Sequence, residues 1–299
     1  MRKALLLLLC LPFFPGLLSA QTYDALRFFP KGTRLYGNIP YANDTLKKHQ
    51  LDIYLPDDTR EAHPIILWIH SGGWRAGGKQ GDLYYMSNTL KALIRAGYAV
   101  VAINYRYSTT AIFPAQIRDC NQAMAFIYEN ARKYKLDRDR VALMGFSAGG
   151  HLAALMGLSA DSDVPDFYAG SKKPDFRIRA VIDFFGLSDF YLIPAAEYQK
   201  TTNGPGLLFG AAMVDKPWLV KEATPLTYID NAAPPFLIIH GSKDDEMDIR
   251  QSITLNDSLR SHGVKTKLMI IRGAPHGGEM FDTDSVRSSV ISFLKIYLR

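Results

Sequence analysis

Cysteine is nearly absent from this sequence. The 299 residues include only Cys10 and Cys120, and Cys10 lies in an apolar run at the N-terminus. A mature chain without that run cannot form an internal disulfide, so its folding depends on the burial of apolar side chains. Cys120 lies in an amphipathic helical pattern, which predicts a small buried residue rather than a reactive thiol.

The chain also lacks a large excess of positive or negative charge, and it has few long apolar runs. The formal net charge is +6, and the lysines and arginines are scattered along the chain, which does not favour nucleic-acid binding. After residue 20 no run approaches the roughly 20 apolar residues of a membrane helix. Metal-ligand clusters, phosphate loops and dinucleotide fingerprints are missing as well. We therefore predict no cofactor and no membrane span in the mature chain, while the oligomeric state stays open.

The first twenty residues have the pattern of a secretory signal peptide. Arg2 and Lys3 precede an apolar run that ends in Leu18-Ser19-Ala20, where a small residue stands before Gln21. The alternative is a membrane anchor, but this run is interrupted by prolines and is too short to span a bilayer. We predict a signal peptide at 1–20, one catalytic domain at 21–299, and export to the periplasm or the exterior.

Short apolar runs alternate with amphipathic stretches through the rest of the chain. This alternation predicts an α/β fold with a mostly parallel eight-stranded sheet and helices on both faces. The predicted strands are 34–41, 50–55, 65–69, 98–104, 141–144, 180–184, 236–239 and 267–271, and the predicted helices are 83–95, 115–134, 148–159, 249–261 and 285–298. Segment 186–222 interrupts the pattern, which indicates a small cap over a substrate pocket or a packed surface excursion.

The strongest functional signal is Gly145-Phe146-Ser147-Ala148-Gly149, a G-x-S-x-G motif between a predicted strand and a predicted helix. In a turn this tight, side chains at Gly145 and Gly149 would collide with neighbouring backbone. Ser147 is then held at a helix N-terminus, where developing negative charge is favoured. We predict that Ser147 is a nucleophile, since the strand–turn–helix context disfavours a glycine-rich turn without chemistry.

A serine nucleophile needs a base to take its proton and a carboxylate to orient that base. In this architecture the chain order is serine, then acid, then histidine. His276 lies in a glycine-rich loop after the last predicted strand and is the predicted base. The acid is predicted to be Asp244, in the first turn after strand 236–239, with Asp245 as the alternative.

A glycine pair follows another predicted strand, in His70-Ser71-Gly72-Gly73-Trp74. Glycines here let backbone N–H groups turn towards the oxyanion of a tetrahedral intermediate, and the residue after the nucleophile supplies a further donor. The predicted oxyanion hole consists of Gly72, Gly73, Trp74 and Ala148.

These segments, with Asn104-Tyr-Arg-Tyr and His240-Gly-Ser-Lys-Asp, resemble the α/β-hydrolase esterase/lipase superfamily from Gln50 to the C-terminus. The resemblance is to the branch with bacterial carbohydrate acetylesterases, feruloyl esterases and hormone-sensitive-lipase-like carboxylesterases. It implies the roles given above, a histidine at 151 that packs behind the nucleophile, and a buried pair or hydrogen-bond network at Arg106 and Asp119. Two departures stand out, because Ser71 replaces the first of three usual glycines and Pro275 precedes the base.

The resulting hypothesis is an exported serine hydrolase that cleaves carboxylic esters through an acyl-enzyme, with acetyl or feruloyl esters of plant or cell-wall polysaccharides as substrates by analogy. One alternative is a serine peptidase of the prolyl-oligopeptidase or dipeptidyl-peptidase type. Such enzymes usually carry an N-terminal propeller, for which about thirty residues before the first strands leave no room. The other alternative is a non-catalytic binding protein on the same fold.

Overall fold

A computed structural model describes residues 25–171 and 176–299 of the chain. Its centre is one eight-stranded sheet with the strand order β1-β2-β4-β3-β5-β6-β7-β8. β1 and β4 pair antiparallel with β2, and every other neighbouring pair is parallel. The strands are β1 (Arg34–Pro40), β2 (Gln50–Leu55), β3 (His63–Ile69), β4 (Ala99–Ile103), β5 (Leu136–Phe146), β6 (Ala180–Phe184), β7 (Phe236–Gly241) and β8 (Thr266–Ile271).

Helices cover both faces of the sheet. They are α1 (Ser87–Arg95), α2 (Ala115–Asn130), α3 (Ala148–Leu158), α4 (Gly204–Phe209), α5 (Pro217–Ala223), α6 (Arg250–Ser261) and α7 (Asp284–Tyr297). Short 3₁₀ helices are Leu26–Phe28, Lys47–His49, Pro165–Phe167, Ala169–Ser171, Phe190–Leu192, Ala195–Glu197, Met213–Asp215, Pro225–Tyr228 and Glu279–Phe281. Within the described residues, no helix has the length and apolar character needed to cross a bilayer.

Alternate residues of the central strands supply two hydrophobic layers. In β3, Ile65 and Leu67 face one layer with α2, α3 and α6, while Ile66 and Trp68 face the other with α1 and α7. All of these β3 side chains are fully buried. Burial on both faces explains why the strands are nearly continuous apolar runs. The predicted α/β class, with an eight-stranded mostly parallel sheet, is confirmed.

Some boundaries differ from the sequence prediction. α1 begins at Ser87 rather than Leu83, and α2 ends at Asn130 rather than Tyr134. Leu83 and Tyr134, which extended the two predictions, are buried but lie in turns, so burial alone does not mark a helix. β5 starts at Leu136, five residues before its predicted start, because its first half is polar and gives no apolar signal.

Segment 186–222 contains no strand. It holds the short helices α4 and α5 and several 3₁₀ helices. Phe190 and Phe209 are buried, and they pack against His151 of α3 and against Phe113, with ring centroids 5.4 and 6.3 Å apart, which fixes this segment against the body of the domain. Its role as a cap stays a prediction, and the predicted signal peptide at 1–20 lies outside the described residues. Cys120 is buried in α2, as its helical pattern predicted.

Candidate active site

Ser147 occupies a tight turn between β5 and α3. Its φ of 51° and ψ of −116° are unusual for a residue with a side chain, and its N–H donates to the Phe184 carbonyl at 2.9 Å. A Cβ on Gly145 would lie 2.0 Å from the Gly149 carbonyl oxygen, and one on Gly149 would lie 2.1 Å from the Ile69 carbonyl oxygen. Glycine is therefore required on both sides of the serine, as the motif predicted.

Three side chains from separate loops meet at this turn. Asp244 follows β7 and His276 follows β8, so the carboxyl ends of parallel strands bring both residues to the edge of the sheet that carries Ser147. His276 Nε2 lies 2.9 Å from Ser147 Oγ, and His276 Nδ1 lies 2.7 Å from Asp244 Oδ2. With Nδ1–H donating to the carboxylate, Nε2 is free to accept the serine hydroxyl proton. The structure brings the predicted nucleophile, base and acid together, and Asp245 is exposed to solvent.

The Asp244 carboxylate is held in its charged form. Its Oδ1 accepts the N–H groups of Met247 and Glu246 at 2.7 and 3.0 Å, and its Oδ2 lies 3.2 Å from His240 Nε2 as well as near His276. Burial alone pushes the pKa of this carboxyl up, but the hydrogen bonds from His240, His276 and Met247 hold that pKa well below its usual range. An ionised Asp244 can stabilise a positive charge on His276.

The predicted oxyanion hole is built on residues 72–74, which we call the oxyanion turn. Gly72, Gly73 and Trp74 have φ values of 114°, 55° and 60° in succession. A Cβ on Gly72 would lie 2.3 Å from the Ala76 carbonyl oxygen, so the turn requires glycine there. Within the described residues, none of the three N–H groups of the turn donates to a backbone carbonyl. Ala148 is the first residue of α3, so its N–H also lacks an intrahelical acceptor.

Two buried side chains hold this turn, and sequence reasoning gave neither of them that role. Asp82 accepts the N–H and the hydroxyl of Ser71 at 2.8 and 2.6 Å. His151 Nδ1 accepts the indole N–H of Trp74 at 3.1 Å, while its Nε2–H donates to the Ala223 carbonyl at 2.7 Å. The resemblance placed His151 behind the nucleophile, and the structure adds its hydrogen bond to Trp74.

His240 and Asp183 were also missed as parts of the site. His240 is fully buried, and its Nδ1 accepts the Ser252 hydroxyl at 2.7 Å while its Nε2–H faces Asp244. Asp183, in β6, accepts the Gly186 N–H at 2.9 Å, beneath residues 145–149, which we call the nucleophile turn after the predicted role of Ser147. Burial raises the pKa of Asp183 to about 6, against the opposing effect of His240. The four-residue spacing between His240 and Asp244 was the one signal in the sequence that could have linked His240 to the site.

The pair implied for Arg106 and Asp119 is present. The guanidinium Nη2 lies 2.6 Å from one carboxylate oxygen, and Nε lies 2.9 Å from the other. The Arg106 N–H also donates to this carboxylate at 2.8 Å. Because Asp119 is fully buried in α2, the pair fixes the loop after β4 to that helix.

Known proteins share this architecture. The BD-FAE family model matches residues 51–259, which is more than half of the chain. The chain belongs to the BD-FAE family. Among curated relatives, it is similar to Esterase LipQ of Mycobacterium tuberculosis, with 31% identity over 95% of this chain and 64% of LipQ. Across three mycobacterial relatives of this BD-FAE chain, the match spans 51 to 64% of their own length.

Two solved structures are also similar to this BD-FAE protein. A truncated carbohydrate esterase from gut microbiota is 28% identical, with a TM-score of 0.77 over 90% of this chain and 98% of that one. A bifunctional GH43-CE protein from Bacteroides eggerthii is 33% identical, with a TM-score of 0.81 over 89% of this chain and 35% of that one. The sheet, the helices and the site described above therefore lie on an α/β-hydrolase fold.

Proposed function

We propose that this protein is a carboxylic ester hydrolase that works through an acyl-enzyme on Ser147. The observation that carries the proposal is the continuous hydrogen-bond chain from Ser147 through His276 to Asp244. This arrangement activates a weak hydroxyl nucleophile and stabilises the imidazolium that forms. The named esterases among the relatives support the same class of reaction.

In the first half of the reaction, Ser147 Oγ attacks the ester carbonyl carbon and its proton passes to His276 Nε2. The carbonyl oxygen becomes an oxyanion, which accepts hydrogen bonds from the free N–H groups of the oxyanion turn and of Ala148. Asp244 stabilises the imidazolium through Nδ1. The imidazolium then gives its proton to the leaving alcohol, and the acyl group stays on Ser147.

In the second half, water takes the place of the alcohol. His276 Nε2 removes a proton from the water as the water oxygen attacks the acyl carbon, and a second oxyanion forms in the same place. Its collapse breaks the bond to Ser147 Oγ, which recovers its proton from His276. The carboxylic acid leaves and the starting hydrogen bonds are restored.

For the natural substrate we propose acetyl or feruloyl esters on plant or cell-wall polysaccharides. This is supported by the resemblance of the motifs and by a carbohydrate esterase among the similar structures. We also propose that residues 1–20 direct export and that segment 186–222 contributes to the substrate pocket. N-terminal sequencing of the exported protein should begin at Gln21, and a start at Met1 would contradict the cleaved signal.

The direct test is hydrolysis of p-nitrophenyl acetate, butyrate and octanoate, with acetylated xylan and feruloylated arabinoxylan as polymeric substrates. The wild type should release p-nitrophenol, and Ser147→Ala should lose nearly all of that activity, by a factor of about 10⁴ or more. Ser261→Ala is the matched control, since this serine lies on the exposed end of α6.

The outcomes separate the candidate functions. Ester turnover that is lost in Ser147→Ala and kept in Ser261→Ala supports the proposal. The ranking of the substrates by rate then shows which acyl groups and polymers the substrate pocket accepts. Turnover of peptide p-nitroanilides with no ester turnover would replace it with a peptidase. A folded protein that hydrolyses none of these substrates would point to a binding protein instead.

A further inference from the structure

The oxyanion turn adopts a backbone conformation that suits its two glycines but not Trp74. Three successive residues have positive φ, and the third is Trp74, whose side chain disfavours that region by about 1 kcal/mol or more. Strain of this kind persists only where the surroundings hold the backbone in place. Backbone hydrogen bonds to the Gly72 and Trp74 carbonyls hold part of the turn, and side-chain contacts at its two ends add to them in keeping its N–H groups in position.

At the first end, the anchor is a buried carboxylate. Asp82 is 4% exposed, and its two oxygens take the Ser71 N–H at 2.8 Å and the Ser71 hydroxyl at 2.6 Å. The Tyr85 hydroxyl donates to the same carboxylate at 3.0 Å. The hydroxyl at position 71 thus gives this chain a contact that the glycine common in similar enzymes cannot make.

At the second end, the anchor is a buried histidine on the nucleophile helix. Trp74 is 4% exposed, and its indole N–H donates to His151 Nδ1 at 3.1 Å. The Ala223 carbonyl accepts the other ring N–H, so the imidazole is fixed as a neutral acceptor towards Trp74. Burial lowers the pKa of His151 to about 4, so this acceptor persists at neutral pH.

We propose that Asp82 and His151 are positioning residues that hold the two ends of the oxyanion turn in the geometry needed for ester hydrolysis. Neither side chain touches the reacting atoms, and both act through Ser71 and Trp74. The inference rests on the proposed esterase function. The positioning role of Asp82 also explains why a serine can replace the first of the usual glycines. The Ser71 hydroxyl donates one of the two hydrogen bonds that Asp82 accepts from this residue.

The test removes one hydrogen bond at each end. Ser71→Ala deletes the hydroxyl that reaches Asp82, and Trp74→Phe keeps an aromatic ring but deletes the N–H that reaches His151. Each variant should lower kcat for phenyl acetate about 10- to 100-fold with KM changed less than about threefold, because complete loss of one oxyanion donor costs about 10²- to 10³-fold. Ser71→Thr keeps the hydroxyl and should restore most of the activity.

A second substrate separates positioning from general damage. In the thionoester of phenyl acetate, the oxyanion is replaced by a larger sulfur anion that accepts hydrogen bonds poorly, so the turn contributes less to its reaction. If the anchors position the turn, the ratio of kcat/KM for ester over thionoester should fall in Ser71→Ala and in Trp74→Phe. Equal losses on both substrates, or an unchanged kcat in both variants, would overturn the proposal.

Thr89→Val provides a matched control. Thr89 is buried, and its N–H and hydroxyl both donate to the Asp282 carboxylate, at 2.7 and 2.6 Å, as Ser71 does to Asp82. This variant should lower Tm but leave the substrate ratio at the wild-type value. Ser147→Ala separates a failure of the proposed function from a failure of the positioning role. Wild-type ester turnover in Ser147→Ala contradicts the proposed function itself, whereas a loss of about 10⁴-fold in Ser147→Ala with unchanged ratios in the anchor variants contradicts only the positioning role.

Discussion

Gly145→Ala tests how tightly the nucleophile turn is packed. The new methyl group would lie 2.0 Å from the Gly149 carbonyl oxygen, whereas Cβ atoms in proteins essentially never approach another atom within 3.0 Å. The turn must therefore open by about 1 Å, and the obstructing group is backbone rather than a flexible side chain. Gly149 follows Ser147 by two residues in the first turn of α3, so the opening has to displace the serine from its place near His276.

A displacement of about 1 Å at a reacting atom costs about 100-fold in rate. We expect kcat of Gly145→Ala for p-nitrophenyl acetate to fall by at least that factor, which corresponds to about 2.7 kcal/mol of barrier. Overpacking should also lower the free energy of unfolding by about 1–3 kcal/mol. Both quantities are measurable on one preparation, by initial rates at saturating substrate and by urea denaturation followed with circular dichroism.

Gly263→Ala is the comparison for this experiment. Gly263 follows α6 with a φ of 76° and has no atom within 4 Å of its would-be Cβ. An alanine there should cost about 1–2 kcal/mol in backbone strain and leave kcat unchanged. The reasoning is refuted if folded Gly145→Ala retains kcat within about threefold of the wild type, or if Gly263→Ala loses as much activity.

Other substitutions address the acid, a buried ion pair and a buried histidine. Asp244→Asn should lower kcat about 10⁴-fold, because an amide cannot accept at both of its heavy atoms, whereas exposed Asp245→Asn should leave kcat unchanged. Asp119→Asn should reduce the free energy of unfolding by about 3–5 kcal/mol, since Arg106 loses its charged partner. His151→Gln should be destabilising at pH 7, and this loss should shrink by about 1.4 kcal/mol per pH unit from pH 6.5 to 4.

The pH dependence expected for His151→Gln follows from the pKa of His151 in the folded protein. His151 is neutral in the fold because burial lowers its pKa to about 4, whereas the unfolded histidine takes up a proton near pH 6.5. The wild type therefore loses the His151 contribution to its free energy of unfolding on acidification, whereas the glutamine variant has no such contribution to lose. Urea denaturation at several pH values measures this, and a difference that is constant with pH would contradict it. An active Asp244→Asn, or an Asp119→Asn as stable as the wild type, would contradict the other two predictions.

Much of the fold and of the candidate site could be predicted from the sequence because the signals are local. Buried parallel strands are apolar on both faces, so β3 and β4 stand out as short runs. The nucleophile turn is encoded within five residues by two close backbone approaches. Chain order then restricts the acid and the base to the loops after later strands, where Asp244 and His276 lie.

The residues that were missed depend on contacts distant in the sequence. Trp74 and His151 are 77 positions apart, and no periodicity links an indole N–H to an imidazole in another element. In the sequence, nothing distinguishes Asp82 from other polar loop residues, because its hydrogen bonds to Ser71 are visible only in the structure. The helices α4 and α5, of six and seven residues, are too short to produce a helical pattern of apolar residues.

The order of the three site residues along the chain has a consequence for synthesis. Ser147 is made first, Asp244 nearly a hundred residues later, and the base last, in the loop after β8. A nascent chain that has emerged only as far as β7 carries the nucleophile and the acid but no group that can take the serine proton. Under the proposed mechanism the chain therefore stays inert on the ribosome until the loop that carries His276 has been made, and a chain interrupted or clipped before His276 lacks the base.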